Sequence, residues 1–408
     1  MKIWVKLVIG SVLGMFLGFL LPESHPAIPK ILTFLKDLAI GAGRYTAMPI
    51  IVFSLTIGIY ELRQDGKFWP LLLKSAAVLV LAPTLVIGLG IGATLLFPPG
   101  RIPVLIERQT EEIFFSPAQN ALDVFPTNMF FVNDGVYLFP LCVFAFFLAL
   151  GLCFDRNRAK QAVTLVDSLS RIFYHIASFF SEILGLLIIA LSAYWATNYK
   201  EAADAGAFAS IARMLMIYAL VLTLLVLPVT LFLLKGTKNP WKALYGVLGP
   251  AIGAFFSGDY NFSIPVLATH LKENLGIRRR SASVTVALFS VFGRSGSAMT
   301  ACVAFIVIIQ SYSSLSISLG SVISIGLTAF FLSFLLARNS ADAAFTALAV
   351  LCARYGRGIE ASFLILKPLA FYLISIGAFI DIVIAALGSF ALARMSGFQE
   401  DRPAGRYI

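Results

Sequence analysis

Five ionisable residues stand inside sequence that is otherwise apolar: Asp259, Arg294, Arg338, Asp342 and Asp381. Four of them sit in three polar interruptions. These are Asp259-Tyr260-Asn261-Phe262-Ser263, Gly293-Arg294-Ser295-Gly296-Ser297 and Arg338-Asn339-Ser340-Ala341-Asp342. Asn261, Ser263, Ser295, Ser297, Asn339 and Ser340 add hydrogen-bond donors and acceptors at the same places. Charged groups are costly in hydrocarbon and face a cavity or a partner. The chemistry on offer is recognition. Guanidinium matches planar oxyanions bidentately, so two Arg candidates suit a carboxylate or another anion. If Asp partners neutralise both, a neutral or zwitterionic solute fits as well. No Ser/His/Asp set, phosphate loop or metal box accompanies them. The plainer reading stays open beside this one. Arg294 can pair with Asp259 or Asp381 simply to hold the fold, because a buried pair need not be a working site. Arg338 and Asp342, spaced i, i+4, can pair locally if their turn is helical. Each polar residue alone is more often a backbone cap. Their gathering at two opposed tips favours a binding site.

The elements that must carry these residues are three broken apolar runs: Val247 to Lys272, Ala282 to Ile309 and Leu319 to Leu351. In hydrocarbon an unpaired backbone polar group costs several kcal/mol, so broken backbone survives only where protein or a wet cavity satisfies it. Secondary transporters place substrate and ion sites at such breaks. Seven further runs read as spans: Val5 to Leu21, Ile31 to Tyr60, Leu71 to Phe97, Val136 to Phe154, Ile172 to Trp195, Ile211 to Leu234 and Ala361 to Ala393. A span needs roughly 20 apolar residues.

Composition agrees. Of 408 residues, 59% are hydrophobic and 13% charged, against about half and a quarter in a soluble domain. The chain reads as an all-α polytopic membrane protein. The net charge of +10 is no nucleic-acid signal, because the basic residues punctuate apolar runs and form no groove with interleaved aromatics. Cys142, Cys153, Cys302 and Cys352 lack metal spacing and read as core residues. The run after Lys2 and Lys6 lacks a signal-peptide cleavage site and reads as a retained first helix.

Lys and Arg gather in alternate loops, so the positive-inside rule puts both termini in the cytoplasm. These loops include Arg63 and Lys67; Arg156, Arg158 and Lys160; Lys235, Lys238 and Lys242; Lys272 with Arg278 to Arg280; and Arg394, Arg402 and Arg406. Basic residues flank Val247 to Leu271 on both sides, so that unit enters and leaves on the cytoplasmic side as a re-entrant hairpin. The Leu319 to Leu351 unit then enters from outside. Eight transmembrane helices and two opposed re-entrant hairpins result. Arg278-Arg279-Arg280 is most simply a topology signal, and Asp167, Arg171 and Glu182 read as interfacial packing residues.

Several motifs resemble one family. Met48-Pro49-Ile50-Ile51-Val52-Phe53 is similar to the second-helix run of the dicarboxylate/amino acid:cation symporters, the glutamate-transporter family. Pro126-Thr127-Asn128 looks like the start of that family's fourth helix, and Ile264-Pro265-Val266 sits where its first hairpin has Leu-Pro-Val. The family's Asn-Met-Asp-Gly-Thr resembles Gly293-Arg294-Ser295-Gly296-Ser297, with Gly293 and Ser295 replacing the Asn and Asp that carry cation ligands. Only Asp381 remains of the charged and amide residues of its eighth helix. The resemblance implies a homotrimer in the plasma (inner) membrane. Residues 1–245 would form mainly scaffold, with the third and sixth helices joining a transport core at 246–394, and 395–408 a cytoplasmic tail. It implies a secondary active transporter of a small organic solute, working as an elevator, with no cofactor and with Na⁺ or H⁺ as coupling ion. Expected substrate residues are Asp259, Asn261, Ser263, Arg294, Ser297, Arg338, Asn339, Ser340, Asp342 and Asp381. Gly293, Arg294 and Ser295 are the expected cation-coupling positions. Because Arg294 adds a permanent charge where cation ligands are lost, sodium coupling is expected to be altered or lost. The alternative is a transport-inactive sensory or channel-like relative.

Overall fold

The computed structural model describes residues 3–21, 27–102, 137–154, 158–204, 208–234, 239–312, 317–356 and 358–400. The Pro126-Thr127-Asn128 motif, Lys2, Arg156, Lys235, Lys238, Arg402 and Arg406 lie outside them. The first half of the chain builds α1 (Ile3–Leu20), α2 (Ala27–Gln64), α3 (Phe68–Leu96), α4 (Phe139–Phe154), α5 (Lys160–Asp204), α6 (Ala209–Val221) and α7 (Leu227–Leu233). The second half builds α8 (Pro240–Tyr245), α9 (Leu248–Ser257), α10 (Tyr260–Glu273), α11 (Arg279–Phe292), α12 (Ser295–Tyr312), α13 (Leu319–Leu335), α14 (Ala343–Tyr355) and α15 (Ala370–Met395). Among the described residues, seven helical stretches are long and apolar enough to cross a membrane; Val5–Leu20, Phe139–Phe154 and Leu248–Ser257 are shorter apolar helices.

The apolar runs are helical with shifted ends, but those read as Val5 to Leu21 and Val136 to Phe154 give helices shorter than a span. At 38 residues, α2 outruns the Ile31 to Tyr60 reading and takes Pro49 into its interior. Its length of about 57 Å, at 1.5 Å per residue, exceeds a bilayer core. The sixth span is not one regular helix. A π-turn at Leu222–Val226 joins α6 to α7. Pro228 has no N–H for the carbonyl of Leu224 four residues earlier. That carbonyl instead accepts from the Trp241 indole at 3.0 Å.

Packing of α1 on α5 depends on small residues. Gly10, Gly14 and Gly18 line one face of α1, and a Cβ on Gly14 would collide with Ser192 Oγ and the Ile189 carbonyl. Such small-residue ridges let membrane helices approach backbone to backbone. The centre of the molecule is α12, buried at every position from Ser295 to Ile309. It packs against α3, α13, α14 and α15.

Two units fold back on themselves around this centre. The α9–α10 unit turns at Gly258, whose φ of 66° is the left-handed region a glycine reaches without strain. Its two ends meet, since Asn274 Nδ2 donates to the Gly246 carbonyl at 2.7 Å. The α13–α14 unit bends through a 3₁₀ segment, Leu336–Asp342. Gly320 and Ser321 at one of its ends and Arg354 and Tyr355 at the other line one cavity.

Basic loops that the charge pattern groups together do meet at one end of the molecule. Arg280 pairs with Asp65 and Arg278 with Glu400. Lys67 lies over the Phe398 ring. Asp167 and Arg171, read as packing residues, join each other, and Asp167 also holds Arg279. The basic triplet is thus tied to acids on three other segments.

Candidate functional site

The two turns meet over the break between α11 and α12. Asp259 follows the left-handed Gly258 in extended backbone and caps α10, its Oδ1 accepting from the Asn261 N–H at 3.0 Å. An N-cap oxygen satisfies a helix donor that would otherwise be orphaned. The same Oδ1 accepts from Ser340 Oγ at 3.0 Å, which joins the first turn to the second. Oδ2 accepts from Arg44 Nε on α2 at 2.6 Å. Asp259 is 1% exposed and Arg44 is 16% exposed.

Arg294 sits in the two-residue gap between α11 and α12 and is 1% exposed. Its backbone N–H reaches the Ser333 carbonyl of α13 at 3.3 Å. Nη2 donates to Ser340 Oγ at 2.9 Å, to Asn261 Oδ1 at 3.2 Å and to the Ser290 carbonyl at 3.3 Å. The guanidinium lies 3.9 Å from the centre of the Tyr260 ring, a cation–π contact. Among the described residues, Nε and Nη1 have no hydrogen-bond partner. A continuous path therefore runs Arg294–Ser340–Asp259–Arg44, with the two cations at its ends and the carboxylate next to Arg44.

A second cluster lies one turn along α12. Asp381 of α15 accepts from the Gly296 N–H at 2.6 Å, from the Ser297 N–H at 3.4 Å and from Ser297 Oγ at 2.6 Å. A carboxylate is well placed at a helix N-terminus, where free N–H groups and the dipole both favour negative charge. A side chain on Gly296 would strike Ile380 and the Gly377 carbonyl, so only glycine lets α15 come this close.

The structure thus brings Asp259, Asn261, Arg294 and Ser340 together, and Ser297 with Asp381. Gly293 ends α11, its N–H bonded to the Phe289 carbonyl at 2.9 Å, and Ser295 opens α12, buried. Arg338 is half-buried on the 3₁₀ segment, while Asn339 and Asp342 are exposed. Ser263 is set apart, buried against Gly253 of α9.

Two readings need correction. Arg294 forms an ion pair with neither Asp259 nor Asp381: Asp259 is held by Arg44, and α12 occupies both oxygens of Asp381. Asn339 leaves helical backbone (φ −115°, ψ 54°), which breaks the i, i+4 register that a local Arg338–Asp342 pair requires.

Arg44 and Tyr260 were not anticipated. A signal for Arg44 was present, because a basic residue inside an apolar span is a functional candidate by default. Among the described residues no group of three His, Cys, Asp or Glu is placed to hold a metal ion.

Comparison with known proteins gives a consistent result. The family described as the sodium:dicarboxylate symporter family matches residues 3–394. The chain is similar to the proton/sodium-glutamate symport protein of Bacillus subtilis, 24% identical over 198 residues, 46% of each chain. That alignment spans under half of the relative's own length. It is also similar to the serine/threonine transporter SstT of Streptococcus agalactiae, 24% identical over 307 residues, 72% of this chain and 71% of that one. A shorter likeness, 30% over 87 residues, is to the human neutral amino acid transporter B(0), covering 21% of this chain and 16% of that protein.

Proposed function

The chain belongs to the sodium:dicarboxylate symporter family, and from that membership we propose that it moves a small carboxylate or amino acid by elevator-type alternating access. The family is one of symporters, not enzymes, and the long apolar helices make the chain an integral membrane protein. We read the two folded-back units as re-entrant hairpins, the assembly as a homotrimer and both termini as cytoplasmic. Relatives named for glutamate, for serine and threonine, and for neutral amino acids support this class of cargo. Contacts of α3, α6 and α7 with α12 or α15 support their sharing a moving core with 246–394.

One observation carries the coupling proposal: a guanidinium sealed at 1% exposure between the two turns. An arginine cannot be deprotonated in a protein. Arg294 supplies there the positive charge that a dissolved cation would bring. Transport is then sodium-independent, or linked to protons through Asp259 or Asp381. Together with Asn261, Ser297 and Ser340, these residues form the gate and coupling machinery of the proposal.

The test is solute uptake into proteoliposomes under an imposed Na⁺ gradient, a proton gradient, or neither, for the wild type and Arg294→Met. Uptake without Na⁺ in the wild type is expected. Strict Na⁺ dependence would overturn the coupling proposal and point to sodium held by backbone carbonyls near Gly293 and Gly296, which are good ligands for hard cations. Binding without flux would instead favour a sensory relative.

A further inference from the structure

A cavity of about 530 Å³ lies on the α2 side of the two turns, bordered by Asp259 and Arg44 at the far end of the path from Arg294. That volume suits a small molecule. Its walls come from α2 (Lys36, Arg44), α5 (Trp195), the first turn (Asp259), the end of the 3₁₀ segment (Asp342) and α15 (Phe371). Lys36 and Arg44 are eight residues apart, so they share one face of α2 about 12 Å from each other.

The charges in this cavity are prepared to different degrees. Lys36 is already engaged, paired with Asp37 at 3.2 Å and lying over the Tyr194 ring. Arg44 spends only Nε on Asp259, and among the described residues no hydrogen bond engages its two terminal nitrogens. The buried carboxylate thus fixes the plane of the guanidinium and leaves its fork for a ligand. A fork held this way receives a planar carboxylate through two parallel bonds. Asp342 is exposed in the same wall, and no hydrogen bond or ion pair among the described residues engages its carboxylate. Lys36 and Arg44 are near enough to act on it electrostatically.

The sign of the whole cavity selects the ligand class. Lys36 and Arg44 contribute two positive charges, and Asp37, Asp259 and Asp342 three negative ones, a net of −1. A dicarboxylate would meet one free fork and a surplus of like charge. A zwitterion meets Arg44 with its carboxylate and Asp342 with its ammonium group, while Trp195, Phe256 and Phe371 offer an apolar wall. We propose that this cavity binds a zwitterionic amino acid, its carboxylate on Arg44 and its ammonium on Asp342. The proposal narrows the transport reading to one cargo class, on which it rests for the cargo role alone; the binding site stands without it.

Binding is measured in detergent, independently of flux, by calorimetry with each of the twenty amino acids, with succinate, and with propionate and ethylamine as single-charge probes. The wild type should bind at least one neutral amino acid and should bind succinate at least tenfold more weakly. Asp342→Asn, a change at an exposed position, should weaken that amino acid about tenfold or more and spare propionate. Arg44→Lys keeps a charge for Asp259 but loses the fork, and it should weaken the amino acid and propionate alike. Equal affinity in Asp342→Asn, tighter binding of succinate, or no amino acid bound at all would each overturn the proposal. Uptake failure with binding intact would count against the transport reading alone.

Discussion

Removing Arg44 should expose how much the α2 contact contributes. Arg44→Ala leaves a carboxylate that is 1% exposed without its charged partner. Breaking a buried pair from one side costs about 3–5 kcal/mol. Asp259 keeps its bonds from the Asn261 N–H and Ser340 Oγ, so the loss should fall near the lower end, about 3 kcal/mol. Asp259→Asn is milder, about 1–2 kcal/mol, because the orphaned Arg44 borders a cavity and can hydrate. The double variant should lose about 2 kcal/mol, less than the sum, giving a coupling of roughly 2 kcal/mol. Equilibrium unfolding in mixed micelles of the four proteins measures the cycle. Repeating it at high salt should leave the coupling nearly unchanged, since buried pairs are weakly screened. Additive single losses, with coupling under about 0.5 kcal/mol, would refute the reasoning.

Other substitutions test other joints. Gly14→Ala should destabilise by about 1–3 kcal/mol by forcing α1 off α5. Gly88→Ala, with nothing within 4 Å of the new methyl, should be neutral or gain up to about 1 kcal/mol of helix propensity; unfolding midpoints compare the two. Asp381→Ala strips acceptors from Gly296, Ser297 and its hydroxyl and should cost on the order of 3 kcal/mol, with Asp381→Asn intermediate. Hydrogen exchange at the start of α12 should rise in the same order. Ser340→Ala breaks two bonds to charged groups and should cost about 1.5–3 kcal/mol. Unaltered cross-linking between cysteines placed on the two turns would show that Ser340 does not join them.

The three broken runs were legible because glycine and charge are conspicuous in apolar sequence, and Gly258, Gly293–Arg294 and Leu336–Asp342 fall where polarity interrupts it. What the charges do was not legible. Asp259 and Arg44 are 215 residues apart in the chain, and Asp381 and Gly296 are 85 apart. Periodicity reports which face of a helix is apolar, not which distant donor arrives opposite it. From the sequence alone, Arg294 therefore calls for a carboxylate. In the fold it has an aromatic ring, an amide and a hydroxyl, while both candidate acids are occupied elsewhere. Asn339 departs from helical backbone within the Arg338 to Asp342 interruption, and no spacing rule anticipates that.

The buried Arg294 has an electrical consequence. A charge crossing the full membrane potential does work of about 2.3 kcal/mol per 100 mV. A dissolved sodium ion released inside the cell does not come back, so every cycle leaves net current. On the proposed elevator reading, the Arg294 guanidinium would travel inward with the loaded form and outward with the empty one. Its two contributions cancel over a complete turnover. Voltage would then shift how the carrier divides its time between its two orientations, without powering accumulation. With a zwitterionic cargo and no proton carried, a voltage step should elicit a transient displacement current that decays to zero, even while labelled solute continues to exchange.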